Sequence, residues 1–233
     1  MEQIKKAIPN LFTLANLSCG AIGIILSFNG DIITACYLIW IAAGFDFLDG
    51  FLARLLKAQS EIGKQLDSLA DLITFGLLPS MLYYHMLVGK VESPLEYAGI
   101  LVAVFSALRL AKFNVDENQA TSFTGLTTTA NGIYTSTIPL ILIGDSFLVH
   151  LFSNPFVILG SAVIFSLSMV APITLLSFKF SNFSFKSNWE RFLLIAISIL
   201  CLIIWQEAGV PIIIIAYIIL SLLSAKLNMK SVK

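Results

Sequence analysis

The sequence predicts an all-α membrane protein: a polytopic bundle of about eight transmembrane helices with an N-terminal interfacial segment. Three observations predict it. Of the 233 residues 58% are hydrophobic and 12% charged, whereas a soluble domain carries about 25% charge. Too few charges are present to cover a water-facing surface. Apolar runs of roughly the 20 residues that a spanning helix needs recur along the whole chain, separated by short polar or Gly/Pro-containing stretches. Basic residues also fall on alternate connections, which is the pattern left when Lys and Arg are retained on the cytoplasmic side.

The first apolar core, Leu11–Phe28, follows Lys5 and Lys6 but has no small-residue cleavage site after it, so it reads as helix one and not as a signal peptide. Asn10, directly after Pro9, is placed to cap it, and residues 1–8 form an amphipathic segment lying along the headgroups. The later cores are Ile32–Phe51, Leu66–Leu87, Leu95–Leu110, Leu126–Ile143, Phe156–Leu176, Phe192–Trp205 and Val210–Leu223. Together they leave no room for a separate soluble domain, so residues 1–233 read as one domain. With both termini inside, every Lys and Arg except Lys90 falls on the inner side, while Asp31, Glu92, Glu96, Asp145 and Glu207 fall outside. An odd number of spans would scramble that asymmetry. Lys+Arg and Asp+Glu number 14 each, and this balance gives no reason to expect a nucleic-acid partner. Cys19, Cys36 and Cys201 sit singly in apolar runs, which is neither a disulfide framework nor a thiolate metal site.

Charges inside apolar helices are expensive and read first as functional. Asp46 and Asp49 lie near the inner end of helix two, and Asp67 and Asp71 near the inner start of helix three. Residues three or four apart share a helical face, so Asp46, Asp49, Gly50, Ala53 and Arg54 form one stripe and Asp67 and Asp71 a second one facing it. Four carboxylates in one small volume repel one another, and two divalent cations would balance them. Oxygen ligands without nearby His or Cys select hard ions such as Mg²⁺ or Mn²⁺ over zinc. Gly50 and Ala53 leave their stripe nearly bare, open to a bulky phosphorylated ligand such as a diphosphate. The competing explanation is that the acids cap and solubilise a hairpin, with Gly50 serving tight packing and Arg54 snorkelling at the boundary.

The stretch Asp46-x-x-Asp49-Gly50-x-x-Ala53-Arg54, eight residues, Gly63-x-x-x-Asp67-x-x-x-Asp71 resembles the signature of the CDP-alcohol phosphatidyltransferases at every fixed position. The resemblance implies a membrane enzyme that moves a phosphatidyl group from a CDP-lipid to an alcohol and releases CMP. It implies that Asp46, Asp49, Asp67 and Asp71 hold the metals, that Asp71 is the catalytic base, and that Gly50, Ala53 and Arg54, with Gly63, lie along the nucleotide. Asn10 and Thr13 share a face that would meet the nucleotide in the family packing, although capping explains them equally well. Three further segments, Ile8–Leu17, Gln65–Gly76 and Ala107–Asn114, resemble the phosphatidylserine synthase branch of the family. Two positions depart from that branch: Lys112 stands where Arg is usual, and Thr127 where Pro is usual.

The implied partners are CDP-diacylglycerol, L-serine, CMP and membrane lipid, with a homodimer as the assembly. A zwitterionic acceptor needs a cation for its carboxylate, and Arg109, Lys112 and Asn114 at the inner end of helix four are the candidates, Arg109 with bidentate geometry. Positive-inside bias is the alternative reason for that cluster. The polar stretch Thr121–Asn131 either lines a cavity or forms a loop. Ser177–Asn188 reads as an inner loop. His85 and His150 fall on the outer side, and Tyr83, Tyr84, Trp189 and Trp205 form an interfacial belt. Sister enzymes using glycerol phosphate or inositol phosphate remain open as alternatives. So does an ion or proton transporter, although the acidic hairpin has no second copy in the sequence.

Overall fold

The computed structural model describes residues 2–115, 123–176 and 185–230. Residues 121–122, 177–184 and Lys233, which carry parts of the sequence-based expectations, lie outside the described residues. The chain forms helices α1 (Glu2–Phe28), α2 (Ile32–Leu55), α3 (Glu61–Asp71) and α4 (Leu78–Leu87), the last two joined without a break by a π-helical segment, Leu72–Leu77. A 3₁₀ turn at Leu95–Gly99 opens α5 (Ile100–Val115). Then come α6 (Thr128–Ile143), the short α7 (Val149–Phe152), α8 (Pro155–Val170), α9 (Phe185–Trp205) and α10 (Gly209–Lys230). A two-residue strand, Phe123–Thr124, pairs antiparallel with Thr174–Leu175 in the register Phe123 to Leu175.

Each apolar core lies mainly on helix, and the fold is a helical membrane bundle. Lys5–Phe28, Ile32–Leu55, Leu95–Val115 and Asn188–Ser224 are long and apolar enough to cross a bilayer, the last of them taking in most of α9 and of α10, while Pro155–Val170 is apolar but shorter. Three expectations are corrected. The sixth run stops being helical at Val170, because Thr174–Leu175 leaves the helix to pair as a strand. α1 runs unbroken from Glu2 through Pro9, so Asn10 is interior to the helix and caps nothing. Tyr83 is no belt residue: it is fully buried, its hydroxyl 3.1 Å from Ser161 Oγ.

Local chemistry explains the helix starts. Asp31, Ser60, Thr127 and Asn154 each accept a hydrogen bond from a first-turn backbone N–H of α2, α3, α6 and α8, satisfying donors that a helix leaves unpaired. Ile39, Phe75, Leu78, Leu82, Val102, Ile138 and Ile158 make the buried core. Large apolar side chains such as Ile22, Ile25, Ile41, Phe47, Ile164 and Ile203 point outward. Such a surface is tolerable only where lipid covers it. α1 packs along α2 more extensively than any other pair of elements, and Trp40 Nε1 donates to Ser136 Oγ at 2.9 Å to tie α2 to α6.

The π segment is gripped from two sides. A Cβ on Gly20 of α1 would lie 2.8 Å from Thr74 Cα, and one on Gly132 of α6 would lie 3.0 to 3.2 Å from Phe75. π turns are rare and concentrate at functional sites, and this one begins directly after Asp71.

Candidate active site

The hairpin between α2 and α3 is short and fixed by local bonds. Lys57 takes a left-handed backbone (φ 50°), Ala58 N donates to Ala53 O at 2.9 Å, and the Ser60 cap starts α3. This closes the ends of the two helices on one another, and one carboxylate oxygen from each of Asp46, Asp49 and Asp67 lies within 4.8 Å of the other two. Asp71 is buried on the same side, close enough to all three for their charges to act on it.

Neighbouring side chains orient the acids. Thr13 Oγ1 donates to Asp49 Oδ2 at 2.6 Å, Asn16 Nδ2 to Asp71 Oδ1 at 3.2 Å and Thr129 Oγ1 to Asp46 Oδ2 at 3.4 Å. Asp67 Oδ1 is buried without a hydrogen-bond partner among the described residues. A buried carboxylate oxygen is seldom left so, and three carboxylates with converging oxygens, one of them carrying an unsatisfied buried oxygen, are a fitting ligand set for a hard divalent cation.

Beside the acids opens a cavity of about 540 Å³ whose lining includes Asn10, Thr13, Asp49, Gly50, Ala53, Arg54, Gly63 and Asp67. All six residues expected along the nucleotide therefore meet at one wall. Gln59, Ser60, Glu61, Lys64 and Phe113 also line it. A Cβ at Gly50 would meet only Arg54 Nη2, at 3.9 Å, so the α2 backbone there faces open space.

The three acceptor candidates separate. Arg109 lies within electrostatic reach of Asp71 and Asp46, with Nη1 3.5 Å from Thr128 Oγ1 and the guanidinium over the Phe113 ring at 5.9 Å. Lys112 is exposed. Asn114 braces α5 on α3: its Nδ2 donates to Ser68 Oγ at 2.9 Å and to Gln65 Oε1 at 3.3 Å, and its carbonyl accepts from Lys64 Nζ at 3.0 Å.

Asn16, Thr128 and Thr129 are site residues that the sequence pattern does not single out. Asn16 was within reach, since it follows Thr13 by three and shares its face. The two threonines belong to the stretch left open as cavity lining or loop; residues 128–131 prove to be the first turn of α6.

A helical membrane bundle whose aspartates gather beside a glycine-walled cavity fits a class, the membrane transferases of phosphorylated groups. Residues 6–168 match the family model described as CDP-alcohol phosphatidyltransferase, and the chain belongs to that family and is a transferase of that class. It is 38% identical over 123 residues, covering 51% of this chain and 67% of the relative, to a CDP-diacylglycerol–serine O-phosphatidyltransferase of Bacillus subtilis (strain 168). An archaetidylserine synthase of Methanothermobacter thermautotrophicus is 39% identical over 127 residues, 52% of each chain. A CDP-diacylglycerol–serine O-phosphatidyltransferase of Helicobacter pylori (strain J99) is 29% identical over 194 residues, 81% of this chain and 78% of the relative.

Proposed function

We propose that this protein transfers the phosphatidyl group of CDP-diacylglycerol to the hydroxyl of L-serine, giving phosphatidylserine and CMP in a reaction that depends on Mg²⁺ or Mn²⁺. The observation that carries the reading is the meeting of Asp46, Asp49 and Asp67, two of which, Asp49 and Asp67, line a cavity together with Gly50, Ala53 and Arg54. The names of the bacterial relatives support serine as the acceptor.

Phosphoryl transfer asks a protein for alignment and charge neutralisation more than for covalent help. Two divalent cations held by Asp46, Asp49, Asp67 and Asp71 would supply Lewis acidity at the diphosphate. Gly50 and Ala53 admit the nucleotide against the α2 backbone, and Arg54 and Lys64 bring positive charge to the same cavity. Asp71, held by Asn16, takes the proton of the serine hydroxyl as its oxygen attacks the lipid-side phosphorus. Arg109 holds the serine carboxylate.

The distribution of Lys and Arg supports an active site and both termini on the cytoplasmic side, where serine and CMP are soluble. Residues 1–233 act as one domain in this reading, and the homodimer rests on the family resemblance. The test is incorporation of labelled serine by purified protein given CDP-diacylglycerol and Mn²⁺ or Mg²⁺. Serine-containing lipid with stoichiometric CMP is the expected result. CMP release only with glycerol phosphate or inositol phosphate moves the protein to a sister activity, and ion uptake without chemistry overturns the enzyme reading.

A further inference from the structure

Asn131, in the first turn of α6, is 0% exposed, and neither its Nδ2 nor its Oδ1 has a hydrogen-bond partner among the described residues. A carboxamide with both polar ends unpaired in the interior is destabilising, and one that persists calls for a specific cause. Its surroundings supply one. Thr128, three residues earlier and so on the same helical face, meets Arg109 Nη1 at 3.5 Å, and Arg109 Nε is itself buried without a partner among the described residues. Thr129 contacts Asp46 at 3.4 Å. The first turn of α6 therefore meets the Arg109 guanidinium through Thr128 and the acid cluster through Thr129, and the same turn carries Asn131, whose Nδ2 donor and Oδ1 neutral acceptor are unused, as is the Arg109 Nε donor.

We infer that Asn131 selects an amino-acid alcohol as the acceptor: its Oδ1 accepts a hydrogen bond from the ammonium group, while Nδ2 and Arg109 donate to the carboxylate. The inference rests on the proposed function and names the residue that would set its acceptor class. A polyol phosphate presents a dianion, which calls for donors and several cations. Here a single half-buried guanidinium serves the subsite, Lys112 being exposed and Lys64 engaged with the Asn114 carbonyl. A carbonyl oxygen aimed at phosphate would repel it. Paired donor and acceptor groups beside one positive charge match a zwitterion.

The test is Asn131→Leu, which removes both polar atoms while keeping the branched skeleton and the number of heavy atoms. In a purely structural role that change leaves the kinetics alone, because replacing an unpaired buried amide by an apolar group of like shape is close to neutral. The inference expects the KM for L-serine to rise by about tenfold or more, the value of a hydrogen bond to a charged group, with the KM for CDP-diacylglycerol unchanged. Inhibition by 3-hydroxypropionate, which lacks the ammonium group, should weaken less than the serine KM rises. An unchanged serine KM, or equal rises for both substrates, overturns the assignment. Should Asn131→Leu fail to fold, Asn131→Ser is read in the same way. Wild-type protein without serine transfer overturns the proposed function and this inference with it; wild-type transfer beside a variant indifferent to serine overturns the inference alone.

Discussion

Gly20 is the position where the fold and the catalytic proposal bear on each other most directly. A methyl group there would collide with Thr74 Oγ1 and lie 2.8 Å from Thr74 Cα. Rotating the threonine side chain away sacrifices its hydrogen bond to Asn16 O (3.0 Å), about 1 kcal/mol. It does nothing for the contact with Cα, so α1 itself must move. Overpacking of this kind costs about 1–3 kcal/mol. The sum, about 2–4 kcal/mol, corresponds to a fall in Tm of roughly 5–15 °C for a chain of this size. The same displacement carries Asn16, one turn before Gly20, away from Asp71, which it holds at 3.2 Å. Gly20→Ala should therefore lower turnover by about tenfold even well below its own Tm. Purified variant and wild type would be compared by thermal unfolding in detergent and by CMP release at one low temperature. Adding Thr74→Ala removes the collision with the hydroxyl but not the contact with Cα, so the double variant should recover only part of the loss. A Gly20→Ala protein with wild-type Tm and turnover refutes the reasoning.

Asp71→Asn should reduce turnover by at least about a hundredfold while leaving CDP-lipid binding within about twofold, because the amide keeps the shape and the bond from Asn16 but cannot take a proton; wild-type turnover would discard Asp71 as the base. Arg109→Ala should raise the KM for serine far more than that for CDP-diacylglycerol, and equal effects would argue against a serine contact. Gly50→Ala has room for its methyl, the nearest atom being Arg54 Nη2 at 3.9 Å, so its Tm should stay at the wild-type value while the KM for CDP-diacylglycerol rises by about tenfold as the methyl enters the cavity. A Gly50→Ala enzyme with unaltered lipid kinetics would show that the nucleotide does not approach α2.

The acidic hairpin was legible in the sequence because its signal is local: the spacings 46 to 49 and 67 to 71 obey the helical repeat, and eight intervening residues between Arg54 and Gly63 allow only a tight return. The cavity residues Gly50, Ala53 and Arg54 were legible for the same reason, whereas Gly63 was legible only through the resemblance to the family signature. What escaped depends on contacts between segments distant in the chain. Thr129 reaches Asp46 across 83 positions, and Asn114, a plausible acceptor ligand by proximity to Arg109, is turned the other way by Ser68 and Gln65. Helix lengths were legible only approximately. Phe156–Leu176 is apolar throughout most of its length, yet the backbone leaves the helix after Val170 to pair Thr174–Leu175 with Phe123–Thr124, and hydropathy does not register a change of hydrogen-bond partner.

The π segment is the part of the site least visible in the sequence, and it explains how one helix serves two surroundings. In an unbroken α-helix Phe75 and Leu78 would stack directly beneath Asp71, at the four- and seven-residue steps that share a face. The wider π turn at Leu72–Leu77 accommodates about one extra residue, which rotates the downstream part of the helix by about 100°. Phe75 then packs on Gly132 of α6 and Leu78 on Gly23 of α1, inside the apolar core, while Asp67 and Asp71 remain aimed at Asp46 and Asp49. Small residues on the two neighbouring helices make the rotation sterically possible, and the hydrogen bond from Thr74 to the Asn16 carbonyl locks it to the same α1 turn that orients Asp71. Acid face and core face thus belong to a single helix, and the seam between them is where the proposed base sits.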